Sequence, residues 1–167
     1  MADGTDDRHW GEHYVASKLA MAGVLPIVLT AGHPGSDLIA EAGGRSVTLQ
    51  VKTRGTANPV IYDVRGDELR SDFLVLVRLN LWRDRALRGK QRYGELNADD
   101  PNTPVAWVLP LSIAKKAWDL GADRHPRRQT LRLGPIRDIL RQHEERWDLV
   151  ARKLKVEPTR TAAARRP

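Results

Sequence analysis

A chain of 167 residues, 41% of them hydrophobic, is long enough to bury a core as one domain and too apolar to be disordered throughout. The lack of cysteine excludes disulfides, thiolate catalysis and cysteine-ligated zinc. No apolar run approaches a membrane span and the start MADGTDDRHW is not a secretory signal, so the cytoplasm is the expected location and no membrane partner is expected. The net charge of +7 is uneven: 13 of the 28 Lys and Arg, but 5 of the 21 Asp and Glu, lie between Arg124 and Pro167. That asymmetry suggests a polyanionic partner. Arginine outnumbers lysine roughly threefold, and its planar fork suits phosphate.

In chain order, Asp6 or Asp7 caps a first helix through WGEHYVASKLAMAG, with Val15, Leu19 and Ala22 as its apolar stripe and Gly23 as its stop. LPIVLT (25–30) reads as a short buried strand and AGHPGS as a loop. DLIAEA and SVTLQVKT are two strands of a hairpin around Gly43-Gly44. VIYDV is a further edge strand, and the nearly continuous apolar DFLVLVRLN (72–80) is a central one. Residues 82–104 lack apolar periodicity and read as a long basic insertion carrying Arg83, Arg85 and Arg88. VAWVLP is a strand, LSIAKKAWDLG a helix ended by Gly121, and QTLRL a short strand. PIRDILRQHEERWDLVARKL reads as one amphipathic helix with Pro135 at its start. Residues 1–155 then form one domain of mixed α/β class, a mixed sheet flanked by helices. Residues 156–167 are a mobile basic tail.

One strand poses the chemical question. Val47, Leu49 and Val51 share one face of SVTLQVKT, whereas Thr48, Gln50 and Lys52 share the other. The apolar face is suited to the first helix; the polar one holds an amide and an ammonium together. A two-residue Gly43-Gly44 loop pairs Ala42 with Arg45 and sets Asp37 opposite Gln50. Asp, Gln and Lys at one sheet edge suit a hard divalent cation such as Mg²⁺: Asp37 and Gln50 offer side-chain oxygens, the Val51 carbonyl a third, and Lys52 stands where a water meets a phosphate. Glu12 on the first helix is a candidate fourth ligand.

GEHYVASKL (Gly11 to Leu19), SDLIA (Ser36 to Ala40) and LQVKT (Leu49 to Thr53), followed by DFLVLVRL, resemble the PD-(D/E)XK nuclease superfamily, and within it the small Holliday-junction-resolvase-like and restriction-endonuclease-like members. The resemblance spans roughly residues 8 to 80. It implies a restriction-endonuclease-like core of helix, three-stranded meander, helix and strand, and metal-dependent phosphodiester hydrolysis. Asp37 matches the first acidic position, Gln50 the second, Lys52 the lysine, and Glu12 the helix glutamate. Two departures stand out: Ser36 replaces the proline, and Gln50 replaces Asp or Glu, which removes a negative charge from the site.

The leading expectation is therefore a Mg²⁺-dependent endonuclease, accepting Mn²⁺ in its place, with Asp37, Gln50, Lys52 and Glu12 as catalytic residues and Asp37, Gln50, Val51 and Glu12 around the metal. Arg54, Arg83, Arg85, Arg88, Arg124, Arg127 and Arg128 are the candidates for tracking DNA phosphates. Cutting both strands of a duplex favours a homodimer. The alternative is a DNA-binding module of the same fold that has lost turnover through Gln50; a third reading is a protein-interaction or toxin-type domain. His9 and His13, four apart on one helix, read as surface histidines, His33 as a loop residue without a role, and Trp107 and Trp118 as core or rim residues.

Overall fold

The computed structural model describes residues 4–29, 35–55, 61–79, 104–125 and 128–156. The basic insertion and the C-terminal tail lie outside the described residues. The first helix, α1, runs Gly4–Met21 and so starts ahead of the expected cap at Asp6 or Asp7, by less than one turn. It stops as the composition demands: Gly23 takes φ +78°, and the Val24 amide donates back to the Leu19 carbonyl at 3.0 Å. Strands β1 (Leu25–Val28), β2 (Leu38–Ala42) and β3 (Arg45–Arg54) form an antiparallel meander. Gly43 and Gly44 both have positive φ, +56° and +74°, so the hairpin turn matches the strand twist, and Ala42 pairs with Arg45 as expected.

A second sheet holds β4 (Ile61–Tyr62). The central sheet continues with β5 (Phe73–Arg78), parallel to β3, and β6 (Val105–Pro110), antiparallel to β5. Its order is β1-β2-β3-β5-β6, so the sheet is mixed and β3 lies at its centre. Helix α2 (Leu111–Gly121) follows directly, then β7 (Ala122–His125), β8 (Arg128–Arg132), α3 (Arg137–His143) and α4 (Asp148–Lys153). Strands β4, β8 and β7 make the small second sheet.

Four expectations are corrected. The LPIVLT strand is not buried: β1 is the sheet's edge strand, and Leu25, Ile27 and Val28 are exposed. VIYDV shrinks to two paired residues and belongs to the second sheet, whose strand β7 carried no apolar signal at all. The described part of the β3–β5 crossover holds strand β4 and a 3-10 turn at Gly66–Glu68, not the helix that the resemblance implied.

The fourth correction has the clearest cause. The last amphipathic stretch is two helices, since it serves two cores. Leu140 of α3 packs with Leu74, Leu76 and Trp107 on one face of the sheet; Trp147 and Val150 pack with Val15, Leu49 and Val75 on the other. A straight helix cannot lie on both faces, so the chain crosses the β6 edge between them. There Glu144 bridges to Trp107, and Glu145 takes φ +51°.

The Glu145 carboxylate pins that crossing. Oε1 accepts from the Ala106 amide (2.8 Å) and the Tyr14 hydroxyl (2.9 Å), Oε2 from the Trp147 indole (2.8 Å), with the Lys18 ammonium 3.3 Å away. Burial by itself would raise this carboxyl, but those hydrogen bonds and the lysine charge outweigh it and hold Glu145 below its usual range. Burial and the same carboxylate push the Tyr14 phenol up, so it stays a donor.

α1 lies against β3 through Gly11: a Cβ there would overlap the Thr53 Oγ1 and come within 2.8 Å of its Cγ2. Gly11→Ala should therefore cost about 1–3 kcal/mol, as overpacking does, read as a lower Tm with native secondary structure kept. Glu145→Gln tests the crossing through pH. A lowered folded pKa gives stability that is complete above the unfolded glutamate value and lost as pH falls through the folded one. The Tm deficit of Glu145→Gln should thus be largest near neutrality and shrink below about pH 4 in melts followed by circular dichroism.

Candidate active site

Strand β2 begins at Leu38, while β3 continues to Arg54, so beyond Leu49 one edge of β3 has no strand beside it. Asp37 sits where the pairing runs out. Its amide donates to the Leu49 carbonyl (2.8 Å), and its Oδ2 accepts from the Val51 amide (2.7 Å). The carboxylate thus takes over a ladder position that a β2 carbonyl would otherwise fill. Since the N–H and C=O of a strand residue point to the same edge, the Val51 carbonyl faces that side as well.

Helix α1 supplies the second carboxylate. Glu12 is 4% exposed, one turn beyond Arg8, and the Arg8 guanidinium joins it to Asp37: Nε donates to Glu12 Oε1 at 2.9 Å and Nη2 to Asp37 Oδ1 at 2.8 Å. One cation therefore bridges two carboxylates that lie 25 positions apart in sequence. Both carboxylates raise the affinity of Arg8 for its proton, the Glu12 hydrogen bond most of all. His9 Nδ1 approaches Glu12 Oε2 at 3.5 Å, and His13 is exposed.

Gln50 is 5% exposed and its Oε1 has no hydrogen-bond partner among the described residues. A buried amide oxygen left unpaired costs free energy unless something electropositive meets it. Lys52, two residues on, holds its ammonium 3.6 Å from Glu68 Oε2. Gln50, Val51 and Lys52 line, with Asp37 and Arg8, a polar cleft of 530 Å³; Glu12 lies behind Arg8 rather than on the cleft wall. Four basic and four acidic side chains line it. Arg54 donates to Asp63 Oδ2 (2.8 Å) and to the Ile61 carbonyl (3.1 Å), and Arg70 to the Asp67 carbonyl (3.1 Å).

The structure thus brings together Asp37, Gln50, Val51, Lys52 and Arg54, with Glu12 reached through Arg8. The side chains of Arg124 and Arg128, on β7 and β8, and residues Arg83, Arg85, Arg88, Arg127 and His33 lie outside what is described. Among the cleft residues that escaped the sequence reading are Arg8, Glu68 and Arg70. Only Arg8 had a signal, its i,i+4 spacing to Glu12; Glu68 and Arg70 arrive through a crossover whose path no local pattern encodes.

The donor set fits a divalent cation on two observations. Two carboxylates already share one cation, and an unpartnered buried amide oxygen lies beside them. Among the described residues, no three His, Asp or Glu side chains cluster to hold an ion by themselves, so an amide or main-chain oxygen would have to complete the set.

No protein-family model matches the chain, and no curated protein is similar to it in sequence. Among solved structures, the chain is similar to a bacterial homing endonuclease, I-Ssp6803I, with a TM-score of 0.55 and 12% identity over 93% of this chain and 96% of that one. The two share a fold over nearly their whole lengths. No helix among the described residues is long and apolar enough to cross a membrane.

Gln50→Glu would put a carboxylate at a buried position beside Asp37. Burial and the like charge raise its folded pKa, so the variant should be less stable than wild type at pH 7 and recover as pH falls toward about 5. Thermal melts across that range read the effect.

Proposed function

We propose that this protein is a metal-dependent endonuclease of the PD-(D/E)XK type, with a D…QxK motif, that hydrolyses DNA phosphodiester bonds. The observation that carries the reading is the meeting of Asp37, Gln50 and Lys52 in one cleft, with Glu12 one guanidinium away. The endonuclease neighbour adds support at the level of fold only.

Held by Asp37, Glu12 and the Gln50 oxygen, with the Val51 carbonyl beside them, a divalent ion (Mg²⁺, or Mn²⁺ in its place) would supply Lewis acidity to the scissile phosphate and the attacking water. Lys52 orients that water and offsets charge gathering on the phosphate oxygens as the new P–O bond forms and the ester P–O bond breaks. Glu68 holds the Lys52 ammonium toward the cleft. Arg54 and Arg70, both on the cleft wall, donate to the phosphates flanking the reacting one. Arg83, Arg85, Arg88, Arg124, Arg127 and Arg128 are the further candidates for phosphate contacts. A single such site cuts one strand, so a homodimer is the form expected to cut both.

Gln50 favours a second reading, a DNA-binding module of the same fold without turnover, because one negative charge is missing from the set. Nicking of supercoiled plasmid in Mg²⁺, Mn²⁺ or EDTA separates the two. The nuclease predicts nicking with either metal, none in EDTA, and a loss of about 10²–10³-fold or more in Asp37→Ala and Lys52→Ala. No nicking, with DNA binding that weakens by roughly 0.9 log units per log salt for each phosphate neutralised, would establish the binding module.

A further inference from the structure

Asp37 and Glu12 face each other across Arg8, and the oxygens it holds are the ones an ion would need. Asp37 Oδ2 is turned to the Val51 amide, which leaves Oδ1 for the gap, and Oδ1 accepts from Arg8 Nη2. Glu12 presents Oε1 to Arg8 Nε. The guanidinium is itself a cleft-wall residue, while Glu12 is buried behind it. An ion entering from the cleft meets Arg8 before it meets Glu12. A guanidinium carries one positive charge against two carboxylates, whereas a divalent cation carries two. The Arg8 side chain is 57% exposed among the described residues, which leaves it room to swing outward.

Resting on the metal-site reading above, we propose that Arg8 is the resident counter-ion of this site: it neutralises Asp37 and Glu12 until a divalent cation displaces it, and the freed guanidinium then turns to a DNA phosphate in the cleft. Metal loading and phosphate capture are thereby coupled. An ion releases the arginine that DNA needs, and a phosphate that draws Arg8 away opens the carboxylates to the ion. The coupling is reciprocal by linkage. Without DNA, the apparent metal affinity is lowered by the fraction of molecules in which Arg8 holds the carboxylates.

The test is calorimetric titration of Mn²⁺ into wild type, Arg8→Ala and Asp37→Asn without DNA, with thermal melts of each in EDTA and in Mn²⁺. Arg8→Ala should bind Mn²⁺ about tenfold or more tightly than wild type, the scale of releasing a charge-assisted hydrogen bond at each carboxylate. It should melt lower than wild type in EDTA and gain more from Mn²⁺. A short DNA duplex added first should tighten Mn²⁺ binding to wild type by a larger factor than to Arg8→Ala, in which only the direct contact of phosphate with metal is left to couple the two. A purely structural arginine would lower the melt in EDTA without tightening metal binding. Equal Mn²⁺ affinity in wild type and Arg8→Ala, with Asp37→Asn unable to bind, overturns the proposal and leaves the metal site standing. Mn²⁺ binding by none of the three overturns both.

Discussion

The bond from the Val51 amide to Asp37 Oδ2 organises the cleft. It forms because β2 stops at Leu38 while β3 runs on, which leaves a strand amide in need of an acceptor. A carboxylate fills that place and is thereby locked in direction, one oxygen turned to the sheet and the other to α1. The same end of pairing turns the Val51 carbonyl outward and leaves Gln50 and Lys52 on the opposite face of β3, beside the β5 strand. The site exists where the antiparallel hairpin ends and the parallel pair continues.

Two cores hold that strand in place. Val47, Leu49 and Val51 pack under α1 with Val15 and Leu19, and the other face carries a separate cluster around Leu74, Leu76 and Leu109 under α2 and α3. Gly11 allows α1 to come so close to Thr53 that Glu12 reaches the open end of β3. Glu145 then ties α1 to β6 and to the segment between α3 and α4. Glu12 and Asp37 thus sit on elements that share one core, and among the described residues Arg8 joins the two carboxylates directly. Polar groups buried at such a junction, Glu12 and Gln50 above all, weaken the fold unless they are paired.

Similarity of fold at 12% identity is what this architecture allows. A sheet with a helix across one face asks only for alternation along strands and an apolar stripe on the helix, and many sequences meet that demand. Chemistry asks for particular atoms at particular distances, so function has to be argued from Asp37, Gln50, Lys52, Glu12 and Arg8 themselves.

The meander, the β5 and β6 strands, helix α2 and the hairpin register were legible in the residues, because each rests on local rules: period-two alternation, a two-glycine turn, a glycine stop. The register was the decisive one, since a two-residue turn leaves a single pairing that sets Asp37 opposite Gln50. What failed had one physical character. The β1 strand looked buried because its residues are apolar, but burial depends on what covers an edge. The last helix looked continuous because its apolar period is unbroken, yet its residues serve opposite faces of the sheet. Residue types and near-neighbour spacing therefore determined the strands, the hairpin and the candidate Asp-Gln-Lys set. Only the tertiary structure decided that Arg8 spans two carboxylates, that Glu68 meets Lys52 and that no described residue meets the Gln50 Oε1, because each depends on segments distant in sequence being packed together.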